Sequence, residues 1–187
     1  PSARICLYGM SGTGKSAFAK YIAKMLRLPY LVKSVSDLES TWVGETEQNI
    51  AKAFREANSQ NAVLVFDEVD SFLSDRKNAV RNWECTKVNE MLTQLENFDG
   101  IFIATTNLMD RLDKAVLRRF DLKFEFKALD STQRVNLFAK ECEILGLKCN
   151  ETLKNQIAKL DGLTPGDFVA VKRQNRFSRI KDADDFY

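Results

Sequence analysis

The sequence predicts an α/β fold, a parallel five-stranded sheet layered between helices, with a small all-helical subdomain after it. Three observations carry that prediction. Short, continuous apolar runs at 5–8, 62–66 and 101–105 alternate with stretches whose apolar residues recur at helical spacing, the pattern of parallel strands covered on both faces. The first run leads through Gly9-Met10-Ser11-Gly12-Thr13-Gly14-Lys15-Ser16 into a helix, and strand, glycine loop and helix form one supersecondary unit. From Ser131 onward the strand pattern stops and only helical periodicity remains.

In chain order, residues 3–8 form the first strand and 15–26 the helix behind the glycine loop. Residues 30–35 follow the Leu28-Pro29 break as a second strand. Residues 36–45 read as a short turn and a loop. Ile50, Ala53, Phe54 and Ala57 mark a helix over 46–57. Residues 62–66 are a central strand, and the polar, charged stretch 74–82 is expected to be a mobile loop. Val88, Met91, Leu92, Leu95 and Phe98 bury the next helix. Residues 101–105 form the fourth strand, 113–119 a short helix and 123–126 the fifth strand. Three helices complete the chain, over 131–145, 152–160 and 165–179. The last opens in good order, with Thr164 as N-cap, Pro165 at the first helical position and Asp167 in the first turn. Residues 1–128 are therefore expected to form the core and 129–187 a helical lid subdomain. No internal repeat or low-complexity tract interrupts them.

Composition narrows the function. The 187 residues are 44% hydrophobic and 29% charged, enough for a buried core and a soluble surface. A net charge of +2 argues for neither nucleic acid nor an anionic membrane as partner. No run approaches the ~18 apolar residues of a membrane span, and no signal peptide is visible. Cys6, Cys85, Cys142 and Cys149 form no C-x-x-C pair, and Cys6 reads as a reduced thiol within a strand. These features suit a cytoplasmic protein. The first strand begins almost at residue 1, as expected of a piece of something longer. The chain has no histidine, so carboxylates, lysine and arginine must carry any chemistry.

The loop at 9–16 has the pattern G-x-x-x-x-G-K-S, a P-loop. Its glycines let backbone N–H groups converge on phosphate oxygens, and the helix start adds its own unsatisfied donors. Lys15 would reach the β- and γ-phosphates and the Ser16 hydroxyl would ligate Mg²⁺. A glycine turn with an accidental Lys-Ser is the plainer explanation, and strand, glycines and helix together speak against it. The fold is therefore a P-loop NTPase three-layer sandwich. The strand at 62–66 ends in Asp67-Glu68, where Asp67 would hold Mg²⁺ and Glu68 would polarise an attacking water as general base. That glutamate favours hydrolysis over transfer to an acceptor. The strand at 101–105 ends in Thr105-Thr106-Asn107, placing an amide for the γ-phosphate and lytic water, or simply a turn residue. Arg118-Arg119 is an outward-facing pair acting on a neighbour's phosphate, a solvated basic pair, or a partner for Asp121.

In this order the motifs resemble the AAA+ ATPases, specifically the AAA branch, over nearly the whole chain. The resemblance implies that Asn107 is the family's sensor-1 residue and that Arg118 and Arg119 are its arginine fingers. The spacing Arg118-Arg119-Phe120-Asp121 is contracted relative to the family's more usual form. Gly162-Leu163-Thr164-Pro165-Gly166-Asp167-Phe168 resembles the segment opening the sensor-2 helix, where backbone near Gly166 approaches the nucleotide. Trp42-Val43-Gly44 falls where the family carries its substrate-gripping pore loop, although an aromatic there could also fold back onto its own domain. A second pore loop would fall at 74–83. The basic residues Lys172, Arg173, Arg176, Arg179 and Lys181 read as a solvated helix face.

The reading is an ATP-hydrolysing module using ATP and Mg²⁺. The resemblance implies a ring homo-oligomer, a hexamer, that remodels, unfolds or disassembles a protein substrate. Competing readings are a nucleotide-dependent assembly scaffold, an AAA+ loader on nucleic acid and a P-loop kinase. The kinase leaves Asn107, the arginine pair and the helical tail unexplained.

Overall fold

Five strands make one sheet: Ala3–Gly9 (β1), Tyr30–Ser34 (β2), Val63–Asp67 (β3), Ile101–Thr106 (β4) and Leu122–Phe126 (β5). The computed structural model describes residues 2–42, 44–70, 72–73, 82–175, 180 and 182–183, with backbone alone for 82–85. Strand order is β2-β3-β4-β1-β5, with β1 parallel to β4, β4 to β3 and β3 to β2. Because these strands are parallel, their C-terminal ends share one sheet edge. The register sets Tyr8 beside Thr106 and Ser34 beside Asp67. The polar residues at the ends of the apolar runs thus collect along that edge.

The chain divides into two compact units, Pro1–Gly9 with Lys15–Glu125, and Met10–Gly14 with Phe126–Tyr187. In the first, the helices are Lys15–Leu26 (α1), Val35–Leu38 (α2), Glu45–Gln60 (α3), Asn82–Asn97 (α4) and Lys114–Leu117 (α5). One sheet face presents Cys6, Leu64, Phe66, Phe102 and Ala104 to Ile50, Phe54, Met91 and Leu95 of α3 and α4. The alternate residues Leu7, Val63, Val65 and Ile103 are equally buried. That is why these strands are apolar at every position rather than at every second one. Phe102 centres the first face, its ring 5.5 Å from Phe54, 5.2 Å from Phe66 and 6.1 Å from Phe120. Offset and edge-on pairs of this kind add about 0.5–1.5 kcal/mol each beyond their burial.

Most elements fall where the sequence puts them. Helix α1 matches its expected span and α3 extends its expected helix by a few residues, whereas α4 starts at Asn82, within the stretch expected to be loop, and ends at Asn97, leaving Phe98 just beyond it. One difference is α2, a single helical turn within a stretch expected to be turn and loop. Ser34 and Asp37 account for it: the Ser34 N–H and hydroxyl both donate to Asp37 Oδ2 at 2.7 Å. This local cap nucleates a turn too short to leave an apolar period. Asp113 is the N-cap of α5, accepting from Ala115 N–H at 2.8 Å, and so stands before the helix expected to begin with it. The expected second pore loop lies almost wholly outside the described residues.

In the second unit, Ser131–Leu145 (α6), Glu151–Lys159 (α7) and Pro165–Gln174 (α8) pack Phe138, Cys142, Leu153, Ile157 and Phe168 together. Each helix start is satisfied by side chains. Gln133 N–H donates to Asp130 Oδ1 at 2.8 Å, and Leu153 N–H to Asn150 Oδ1 at 2.8 Å. Thr164 donates to Asp167 Oδ2 through its N–H at 2.7 Å and its hydroxyl at 2.8 Å. The buried Arg134 guanidinium donates to Leu129 O at 2.9 Å and Ala158 O at 2.5 Å, fastening the start of α6 to the end of α7. Residues 176–179 of the expected last helix lie outside the described residues.

Cys6 is fully buried in β1, and burial pushes its thiol up to about 12 from an ordinary 9.0. The unfolded chain therefore releases this proton near pH 9, while the folded chain keeps it until near 12. Stability owed to this group is complete below the lower value and falls as pH rises between them. Urea denaturation of Cys6→Ala from pH 8 upward should show a shallower alkaline decline than the parent chain. Native Cys6 should also resist iodoacetamide while the half-buried Cys149 reacts.

Candidate active site

The ends of β1, β3 and β4 bring five of the expected site residues, Gly9, Lys15, Ser16, Asp67 and Asn107, into hydrogen-bonded contact. Lys15, at the start of α1, is buried to 7% exposure. Its ammonium donates to Gly9 O at 2.7 Å and Asn107 Oδ1 at 2.9 Å. Burial lowers its pKa, opposed by the carboxylates of Asp70, Asp67 and Glu68. One residue on, the Ser16 hydroxyl donates to Asp67, with 2.9 Å to Oδ1 and 3.1 Å to Oδ2. The P-loop lysine and serine thus reach two different strand ends.

Thr105 locks the third strand into the group. Its buried hydroxyl donates to Asp67 Oδ1 and accepts the Glu68 N–H at 3.0 Å. Glu68 itself sits at φ +58°, a left-handed backbone that costs a non-glycine residue on the order of 1–3 kcal/mol. The bend turns the chain out of β3 and leaves the Glu68 side chain exposed. Asp67 and Glu68, adjacent in sequence, are therefore separated in role. One carboxylate is tied into hydroxyls and the other projects into solvent.

Sequence reasoning missed Thr105 and Asp70. The Asp70 carboxylate accepts from the Thr106 hydroxyl, from Asn107 N–H at 2.8 Å and from Leu108 N–H at 2.9 Å. A third carboxylate three residues after Asp67, at a strand end already bearing two, was the available signal.

The remaining loop residues lie in the second unit. Met10, Ser11 and Gly12 are exposed, and Thr13 is buried, its hydroxyl donating to Met10 O at 2.7 Å. Gly12 and Gly14 have φ of +78° and +95°, conformations that disfavour any side chain. Gly166, at the start of α8, donates its N–H to Gly12 O at 2.8 Å. A Cβ on Gly166 would stand 2.8 Å from Gly12 Cα, and one on Gly12 would stand 2.6 Å from Thr164 Oγ1. Close backbone approach thus requires glycine at 166, and the Thr164 hydroxyl together with the positive φ disfavours a side chain at 12.

The other expected residues stand apart from this group. Arg118 and Arg119 are exposed. Arg119 pairs with Glu96, whereas the Arg118 guanidinium has no hydrogen-bond or ion-pair partner among the described residues. Asp121 does not partner either arginine. It accepts from Arg4 N–H at 2.8 Å and donates its own N–H to Arg4 O at 2.9 Å, anchoring the turn after the arginines to β1. Trp42 is 76% exposed, which excludes the folded-back alternative. Gly44 is the N-cap of α3, and Val43 lies outside the described residues. No described helix is long and apolar enough to cross a membrane.

Residues 5–128 match the family described as "ATPase family associated with various cellular activities (AAA)". The chain is 30% identical, over 97% of its length, to the cell division cycle protein 48 homolog of Archaeoglobus fulgidus, covering 26% of that protein. It is 32% identical over 87% of its length to vacuolar protein sorting-associated protein 4 of Dictyostelium discoideum, covering 37%. It is 28% identical over 95% of its length to the ATP-dependent zinc metalloprotease FtsH of Ureaplasma parvum, covering 26%. The chain therefore spans between about a quarter and two fifths of the length of these relatives.

The Gly12–Gly166 approach leaves no room that a rotamer change could supply. Gly166→Ala should displace the loop and weaken ATP binding by on the order of tenfold, about 1.4 kcal/mol. Titration with a fluorescent ATP analogue reads that loss, and unchanged affinity would count against a role for this contact.

Proposed function

This chain belongs to the AAA family of ATPases, and on that premise we propose that it hydrolyses ATP with Mg²⁺ at the ends of β1, β3 and β4. The observation that carries the reading is the meeting of Lys15, Ser16, Asp67 and Asn107 through hydrogen bonds of 2.9–3.1 Å. The residues fit both ligands. Lys15 supplies a positive charge at the loop, and the Ser16 hydroxyl and Asp67 carboxylate form a hard oxygen pair suited to Mg²⁺. That ion needs only one or two carboxylates besides phosphate and water. When bound, Mg²⁺ neutralises charge on the β- and γ-phosphates.

The backbone of residues 9–14 cradles the phosphates in this reading, and Gly166 steadies the loop. Asp67 holds its carboxylate toward the metal through Ser16 and Thr105. Glu68, exposed and strained, takes a proton from the attacking water. Asn107 orients that water and the γ-phosphate. Arg118 completes the site of an adjacent subunit, a role supported by a guanidinium that has no partner among the described residues, whereas Arg119 is held by Glu96. The assembly is a ring, a hexamer, working in the cytoplasm on a protein substrate. The exposed Trp42 beside Gly44 supplies the grip, and turnover drives remodelling.

Glu68→Gln keeps the shape and removes the base. Its ATPase rate should fall by roughly 10²–10⁴-fold while ATP binding persists; a variant hydrolysing at the parent rate would remove Glu68 from the mechanism. Specific ATPase activity should also rise with protein concentration and fall on mixing with Arg118→Ala chains. Activity indifferent to both would mean that each chain works alone.

A further inference from the structure

Three successive residues at the end of β4 turn their donors onto a single oxygen. The Thr106 hydroxyl, the Asn107 N–H at 2.8 Å and the Leu108 N–H at 2.9 Å all meet Asp70 Oδ1. The Leu108 N–H also reaches Thr106 Oγ1 at 3.0 Å. Asp70 lies 37 residues before Asn107, so this is a tertiary clamp and not a local turn motif. Thr106 is wholly buried, which leaves its hydroxyl dependent on that carboxylate. Beyond Leu108 the chain makes only a three-residue 3-10 turn, Met109–Arg111, so no long helix fixes it on the far side. Between a buried strand and a short turn, backbone direction at Asn107 rests largely on Asp70.

That direction matters because the Asn107 side chain meets Lys15 Nζ at 2.9 Å. A backbone free to rotate at 107 would swing the amide away from the phosphate site. Bonds to a carboxylate are roughly twice as strong as neutral ones, which suits one oxygen serving three donors. We propose that Asp70 is a positioning residue, clamping the backbone of Asn107 so that its amide stays aimed at Lys15 and the γ-phosphate. The proposal rests on the ATPase reading of this site, and Asp70 itself touches no reacting atom. It is thereby distinct from Asp67, which is tied to Ser16, and from Glu68, which faces solvent.

The test uses the full chain and four variants: Asp70→Ala, Asp70→Asn, Asn107→Ala and the Asp70→Ala/Asn107→Ala double. Two readouts are needed, kcat and KM for ATP, and amide hydrogen exchange at residues 107 and 108. Asp70→Ala should lower kcat on the order of tenfold or more, the scale of a small misplacement, while KM changes by less than about threefold. Exchange at 107 and 108 should accelerate while β1 and β3 stay protected. Asp70→Asn keeps an oxygen without the charge and should fall between the two. The double variant should be no slower than the slower single, since both act through one amide.

Parent-like kcat or parent-like exchange in Asp70→Ala would overturn the proposal, as would losses that multiply in the double variant. Should Asp70→Ala fail to fold, unchanged exchange at 107 and 108 in Asp70→Asn would overturn it equally. A parent chain that binds ATP without hydrolysing it would instead refute the reading of the site. The exchange measurement would still decide whether Asp70 holds Asn107.

Discussion

The Asp67 carboxylate is the joint on which the site depends. It accepts hydroxyls from Ser16 on α1 and Thr105 on β4, and so ties the ends of two parallel strands to the start of the helix after the glycine loop. Parallel topology makes such a joint necessary. Each of these strands delivers its polar C-terminal residues to the same edge, where the ladder no longer satisfies them. Donors and acceptors from different strands must then pair with one another or with a ligand. Thr105 does both, donating to Asp67 and accepting from Glu68 N–H.

The apolar layer beneath gives this edge its precision. Phe54, Phe66, Phe102 and Phe120 contact one another in offset and edge-on pairs across α3, β3, β4 and the chain before β5. Rings packed from several elements resist sliding, so register errors between β3 and β4 would be expelled at the core before reaching the site. Such a base can tolerate the local strain at Glu68. The left-handed backbone there separates two neighbouring carboxylates, one bound and one exposed, without any change of residue type.

The second unit is organised by caps more than by a large core. Asp130, Asn150 and Thr164 each satisfy a helix start, and the Thr164–Asp167 box fixes where α8 begins. That placement decides where Gly166 points. The N–H of Gly166 then meets Gly12 O, and absent side chains on both residues permit the approach. The cap and the glycine thus act as one device.

Much of this was legible in the chain. Apolar runs marked the strands because burial on both faces forbids alternation, and G-x-x-x-x-G-K-S marked the loop because phosphate binding needs bare backbone. Asp67, Glu68 and Asn107 stood out by their positions at strand ends. The helix at Val35–Leu38 was not legible, because one turn made by a Ser34–Asp37 cap leaves no periodicity. The partners of Asp70 and Thr105 were not legible either, although a third carboxylate close after Asp67 marked the place. Those partners stand 36 to 38 residues away, and nothing local says which carboxylate or hydroxyl will face which strand. Nor could sequence divide Arg118 from Arg119, since that depended on Glu96 arriving from another helix. The sequence by itself determined the element order, the strand faces and the phosphate loop, all of which are written in local pattern and spacing. Only the tertiary structure decided which polar groups meet at the strand ends, because those meetings depend on sheet order and register.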